Sequence, residues 1–396
     1  MSIIPEISLR AEERRLAWRL LSGTFAYTFG NGIAVIAAAL IMSQTTGDPG
    51  SIGVLFIMVS LPQALLSFVA GRMADHYSPQ RICLVANLIS ASGGGGLLLL
   101  AVFGELTPYP LYFFSFLLSA CTAMIFPATN ALIRHCVREE QLPRFSSRFE
   151  IAIQAGSLIS VAIGGAAMDH FSPASVFLVS AIAYFISGLL IGSLRYRSPT
   201  SAETDADVQQ VLNHYRPAGA LLLYATGNVI ITVTNTLMVI LVVQYFSASA
   251  TSLGIADALA GVGVIVSSLL YTRIHKQFPL VVIIAGGYLL CAICIFLQPR
   301  FGLSHYFVLF PLGTLFYGFA RIGCRQLIYS VCRREATGRF FGYANAAGLA
   351  LSVPATLAVS WLVRHHDVMM GYTATGLFII SGMVVALYIL LFKRRC

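Results

Sequence analysis

The chain has 396 residues, of which 57% are hydrophobic and only 10% charged, with a formal net charge of +9. Soluble proteins carry about a quarter of their residues as charged side chains, so this composition excludes a soluble globular protein and defines an integral membrane protein. The cationic excess falls in short loops beside apolar runs, where it sets topology, and so it does not indicate nucleic-acid binding.

A hydrocarbon core about 30 Å thick needs roughly 20 apolar residues per helix. The sequence supplies twelve such runs, at 18–42, 52–72, 82–103, 110–133, 149–168, 174–194, 218–245, 252–272, 280–297, 305–332, 340–362 and 371–392. Residues 1–17 form a cytoplasmic segment of alternating Arg and Glu, suited to the inner membrane surface and equally to solvent. The first run is a full span with Asn31 inside it and no small-residue cleavage site, so it is expected to stay. Lys and Arg cluster on one side: Arg10, Arg14, Arg15 and Arg19, then Arg134, Arg138, Arg144 and Arg148, then Arg195, Arg197 and Arg216. Arg273 and Lys276, then Arg333, Arg334 and Arg339, then Lys393, Arg394 and Arg395 continue that alternation, while Arg300 and Arg364 fall on the other side. Cationic loops stay cytoplasmic, which places both termini in the cytoplasm and the chain in a plasma membrane, expected to be the bacterial inner membrane.

In the first span, Tyr27-Thr-Phe-Gly30-Asn31-Gly-Ile33 recurs as Tyr224-Ala-Thr-Gly227-Asn228-Val-Ile230, displaced by 197 positions in a chain whose half-length is 198. A repeat at half-length in apolar segments points to a transporter built from two related halves. The expected boundaries are a six-helix half at 18–194, a polar linker at 195–217, a second six-helix half at 218–392 and a tail at 393–396. Tyr27 and Asn31 share one helix face, as do Tyr224 and Asn228. Asparagine offers both donor and acceptor without charge. A substrate path and an interhelical hydrogen-bonded lock both fit these four residues.

The loop after span two reads Gly71-Arg72-Met73-Ala74-Asp75-His76-Tyr77-Ser78-Pro79-Gln80-Arg81. Gly71 allows helices to approach, and Asp75 at a helix end is suited to accept from the amides of a neighbouring helix N-terminus. Here the chain resembles the major facilitator superfamily, whose Gly-x-x-x-Asp-Arg-x-x-x-Arg signature is matched by Gly71, Asp75 and Arg81. His76 replaces the first Arg, and one extra residue precedes Arg81. The resemblance implies a cytoplasmic gate made by Gly71, Asp75, His76 and Arg81, with Arg134 at the end of span four placed beside it. In span three, Gly93 to Gly96 are read as close helix packing.

Phe126-Pro127-Ala128, Ala131-Leu132-Ile133 and Val137-Arg138-Glu139-Glu140-Gln141-Leu142-Pro143 look like the branch of enterobactin-type siderophore exporters and macrolide efflux proteins, as does Gly338-Arg339 before span eleven. That resemblance implies export. Span five keeps Gly164-Gly165 of the superfamily's antiporter signature and lacks its proline. The second-half counterpart of the gate loop, Tyr271 to Lys276, lacks the Gly-Asp core. Cys291 and Cys294 lie in an apolar helix without histidines nearby and read as packing residues.

Ionisable residues inside spans cost about 2.5–3.5 kcal/mol each on insertion scales and mark functional sites. Arg321 and Arg325 lie one turn apart in span ten, on one face. Asp257 in span eight, measured from Arg273 at 1.5 Å per residue, falls within roughly 6 Å axially of Arg321 if the two loops start at equal depth. Pairing of Asp257 with Arg321 is therefore expected, with Asp257 protonation coupled to substrate near Arg321 and Arg325. Glu150, which opens span five beside Arg148, reads as an interfacial gate residue before it reads as a proton carrier, and is the second proton-coupling candidate.

The sequence thus predicts an all-α membrane protein with twelve transmembrane helices in two six-helix halves related by pseudo-symmetry, the major facilitator fold. It is read as a secondary active transporter exporting a small polar or anionic molecule, such as a carboxylate siderophore, in exchange for protons by alternating access. The guanidinium pair favours an anion. A multidrug efflux antiporter and an organic anion uptake carrier are the alternatives. A Gly-x-Ser-x-Gly elbow, a phosphate loop and a metal-ligand cluster are all lacking, which speaks against an enzyme. The expected partners are a small-molecule substrate, protons and the lipid bilayer, with no cofactor, metal or nucleic acid, in a monomer.

Overall fold

A computed structural model describes residues 3–46, 49–170, 172–194 and 215–391. Most of the linker and the tail at 393–396 lie outside the described residues. Among the described residues there are twelve long helices and no strand. They are α1 (Ile3–Thr46), α2 (Pro49–His76), α3 (Pro79–Phe103), α4 (Pro108–Cys136), α5 (Leu142–His170) and α6 (Pro173–Gly192), then α7 (Pro217–Val239), α8 (Ala250–Gln277), α9 (Leu280–Leu297), α10 (Leu303–Val331), α11 (Thr337–His365) and α12 (Val368–Leu391).

The helix starts follow local chemistry. Pro79, Pro108, Pro173 and Pro217 occupy first-turn positions, where a missing amide costs nothing. Ser172 and Ser249 cap α6 and α8 by accepting from the amides of Ser175 and Ser252 at 3.4 and 3.3 Å. α3 ends at Gly104, whose φ of 74° only glycine adopts freely. α7 ends in a π-helical stretch, Ile240–Tyr245. The segment before Trp18 is not separate from the first span. It is continuous with it in α1, 44 residues long.

Among the described residues, eleven of the twelve helices are long and apolar enough to cross a bilayer, and α5 is not counted with them. Its first turns alternate exposed Arg144 and Arg148 with buried Phe145, Ser146, Ser147, Phe149 and Glu150. Lipid-facing positions elsewhere are apolar and exposed, as at Phe113, Leu189, Leu269 and Leu377, which is the expected pattern when hydrocarbon is the solvent.

The pairing of helices repeats with a shift of six. α3 packs on α6, α2 on α4, α1 on α6 and α3 on α4; correspondingly α9 packs on α12, α8 on α10, α7 on α12 and α9 on α10. Short 3-10 turns precede both α5 (Glu139–Gln141) and α11 (Arg334–Ala336). Small residues make these contacts possible: a Cβ on Gly94 would lie 3.1 Å from that of Ala181, and one on Gly287 would lie 3.0 Å from that of Ala320. Gly93 and Gly96 back onto Phe114, while Gly95 faces open space.

The chain divides into two compact units that do not coincide with the sequence halves. The first comprises the described residues of Met1–Glu139, Ala152–Pro199 and Glu335–Gly342; the second those of Glu140–Ile151, Thr200–Arg334 and Tyr343–Cys396. The first turns of α5 therefore belong with α7 to α10 and α12, and those of α11 with α1 to α4 and α6. The first unit has a core of Ile33, Ala37, Met42, Leu97, Leu111 and Phe177. In the second, Tyr271, Ile283, Phe319 and Ile322 form a buried cluster.

Candidate functional site: a buried glutamate between two arginines

In the second unit, the first turns of α5 carry Glu150 into contact with α10. Arg321 Nε lies 3.0 Å from Glu150 Oε1, and Arg325 Nη1 lies 3.1 Å from Glu150 Oε2. The side chains of Glu150 and Arg325 are both 0% exposed, and that of Arg321 is 15% exposed. The single turn between the two arginines lets their heads meet the two oxygens of one carboxylate. Arg321 Nη1 also donates to the Tyr317 hydroxyl at 2.8 Å. The Arg325 guanidinium sits over the Phe149 ring, 4.9 Å from its centre, and Phe145 stacks on Phe149. Tyr224 on α7 lies within electrostatic range of Arg321.

The cluster holds two positive charges and one negative. Buried ions are tolerated when paired and fully hydrogen-bonded, and here one cation exceeds the counter-charge. Nε and Nη2 of Arg325 have no hydrogen-bond partner among the described residues. The arrangement is suited to a second anion and hostile to a cation.

Two expectations are corrected. Glu150 does not stand at the start of its helix or in solvent: α5 begins at Leu142, so Glu150 lies two turns in and is fully buried. Arg321 takes Glu150, not Asp257, as its carboxylate partner. The reason lies in the register of α8 and α10. Thr314 Oγ1 donates to the Ala260 carbonyl at 2.9 Å, and Gly318 packs on Val264 and Ser267. Asp257 is therefore level with Pro311, ten residues or roughly 15 Å from Arg321. Asp257 is exposed and makes no ion pair among the described residues.

Tyr27, Asn31 and Asn228 find partners on neighbouring helices. Tyr27 donates to Thr122 at 2.6 Å, Tyr184 donates to Asn31 at 3.3 Å, and Asn228 donates to Asn345 at 3.4 Å. Tyr27 and Tyr224 are buried; Asn31 and Asn228 are half-buried. Gly348 gives Asn228 its room, since a Cβ there would lie 2.6 Å from the amide nitrogen.

The gate residues split. In the first unit, Asp75 Oδ1 accepts from the Gly338 amide at 2.8 Å, and Oδ2 accepts from the Arg339 amide at 3.1 Å and from Arg339 Nε at 2.8 Å. An acid thus sits on the free amides that open α11, where the helix dipole favours it. Gly71 makes that approach possible, because a Cβ would stand 2.8 Å from the Gly338 carbonyl. His76 and Arg81 are exposed, and their side chains make no such contact among the described residues. Arg134 is buried and pairs with Glu139 at 2.8 Å. Among the described residues no group of His, Cys, Asp and Glu is arranged to hold a metal.

Twelve long helices in a repeated arrangement, eleven of them among the described residues apolar enough to span a bilayer, a carboxylate latching one helix end and a buried ionic cluster together define a membrane carrier. A sequence profile of the Major Facilitator Superfamily matches residues 20–356, and the chain belongs to that superfamily. It is 20% identical to macrolide efflux protein A of Streptococcus pyogenes over 384 residues, covering 90% of this chain and 94% of that one. It is 23% identical to the multidrug efflux pump Tap of Mycobacterium tuberculosis over 193 residues, covering 47% and 46%. A bacterial homologue of the iron transporter ferroportin, solved in an outward-facing state, superposes with a TM-score of 0.74 at 13% identity over 94% of this chain and 99% of that one. The protein is a transporter with efflux relatives and not an enzyme.

Proposed function

We propose that the chain exports a small anionic molecule across the bacterial inner membrane, coupled to protons, by alternating access, as a monomer with both termini cytoplasmic. The observation that carries this reading is the buried pair Arg321 and Arg325 sharing the single carboxylate of Glu150. A substrate carboxylate balances the remaining positive charge, and guanidinium binds it bidentately. A carboxylate siderophore has that chemistry. Efflux relatives support the outward direction.

Of the two acids named for proton coupling, Asp257 is the better carrier. It is exposed and free of ion pairs among the described residues, whereas Glu150 is engaged by two guanidiniums. Tyr27 and Asn31 on α1, and separately Tyr224 and Asn228 on α7, are read as contributing to substrate handling, and Gly71, Asp75 and Arg134 as serving the cytoplasmic gate, with His76 and Arg81 at its solvent edge. In everted membrane vesicles, Asp257→Asn is expected to abolish pH-driven accumulation of a transported carboxylate while leaving exchange down its own gradient. Wild-type pH-driven rates in that variant would remove Asp257 from the coupling step.

A broad multidrug pump is the second reading, favoured by the names of the relatives. Cationic dyes separate the two: a pump confers dye resistance that deletion removes, whereas the cationic cluster opposes such substrates.

A further inference from the structure

The guanidinium of Arg325 is used on one side only. Its Nη1 meets Glu150 and its flat face meets Phe149, while Nε and Nη2 find no protein partner among the described residues, although the side chain is 0% exposed. Nε–H and the adjacent Nη2–H run parallel, at the spacing of the two oxygens of one carboxylate. A second observation lies on α5. Ser146 and Ser147 stand four and three residues before Glu150, on its helix face. They are 0% and 2% exposed, and neither hydroxyl has a partner among the described residues. Buried donors are almost always satisfied, so the unpartnered donors on Arg325 and on the two serines one turn from Glu150 mark groups built to meet an acceptor.

We propose that the Nε–Nη2 edge of Arg325 is the fork that takes the substrate's carboxylate head, with the Ser146 and Ser147 hydroxyls as additional donors and Glu150 as a fixed counter-ion that stays in place. This deepens the anion-export reading and rests on it. Two guanidiniums and two carboxylates then form a neutral quartet, so the site selects one negative charge at the head group. Arg321, already committed to Glu150 and Tyr317, holds the glutamate rather than the substrate. Arg325 is thereby the specificity-determining residue and Arg321 the positioning one.

The test uses the purified full-length protein and benzoate, a single carboxylate that stays ionised near neutral pH. Binding is measured by calorimetry and melting temperature by intrinsic fluorescence, for wild type, Arg325→Lys and Ser146→Ala/Ser147→Ala. Lysine keeps the charge beside Glu150 but has no planar fork. The expected result is benzoate binding at least about tenfold weaker in Arg325→Lys, at a melting temperature close to wild type, and several-fold weaker in the serine variant. Equal binding in wild type and Arg325→Lys overturns the fork while leaving an anion site at Arg321 standing. Should Arg325→Lys fail to fold, unchanged binding in the serine variant overturns the assignment of this patch. No benzoate binding to folded wild type overturns both the fork and the anion reading.

Discussion

Glu150 is the residue on which the charge balance of the second unit turns. Replacing it by Gln leaves two buried guanidiniums without a counter-charge, and breaking a buried pair from one side costs about 3–5 kcal/mol. Arg325→Met removes the excess charge and leaves the neutral pair Arg321–Glu150, so it is expected to destabilise less than Glu150→Gln despite deleting a larger polar group. Denaturation of both variants in one detergent checks that order; a milder Glu150→Gln would contradict the assigned charge balance. In the first unit, Asp75→Asn weakens acceptance from two amides at the start of α11. Hydrogen bonds to a charged group contribute about 1.5–3 kcal/mol, and the contact to the 46% exposed Arg339 side chain adds little.

At the scale of the helix, the latch depends on contact between α2 and α11 through glycines. A Cβ on Gly342 would stand 2.8 Å from the Gly71 Cα, so Gly342→Leu forces the first turns of α11 away from α2. Gly342→Leu and Asp75→Asn are then two ways of losing one contact. Their effects on melting temperature are expected to be non-additive, the double variant matching the worse single within about 0.5 kcal/mol. Full additivity would separate the glycine approach from the carboxylate cap. Element-scale features were the most legible in the sequence. Twelve apolar runs gave twelve helices because a span must satisfy its own backbone, and the Tyr27 and Tyr224 repeat foretold helix pairings that recur with a shift of six. The chemistry of Asp75 was also readable, since an acid beside a helix start has few better uses. What escaped was register between helices distant in sequence. The rise per residue gives depth along one helix, but the depth of α8 against α10 is fixed by Ala260 with Thr314 and Gly318 with Ser267. No single sequence displays that match, and so Arg321 was assigned the wrong carboxylate. The available signal was charge bookkeeping: two arginines inside one span need an acid, and Glu150 was the other candidate.

For the molecule as a whole, the exchange of first turns joins the two charged features to the fold. α5 carries Glu150 into the second unit before continuing in the first, and α11 carries Gly338 and Arg339 into the first unit before continuing in the second. The central claim, a carrier selecting anions at Arg325, is tested most directly by transport in proteoliposomes holding the full chain and offered radiolabelled mono-, di- and tricarboxylates. At least one carboxylate is expected to move faster than in protein-free liposomes, with the rate falling about tenfold or more in Arg325→Lys. Movement of a cationic dye alone, or equal carboxylate rates in both proteins, would contradict it.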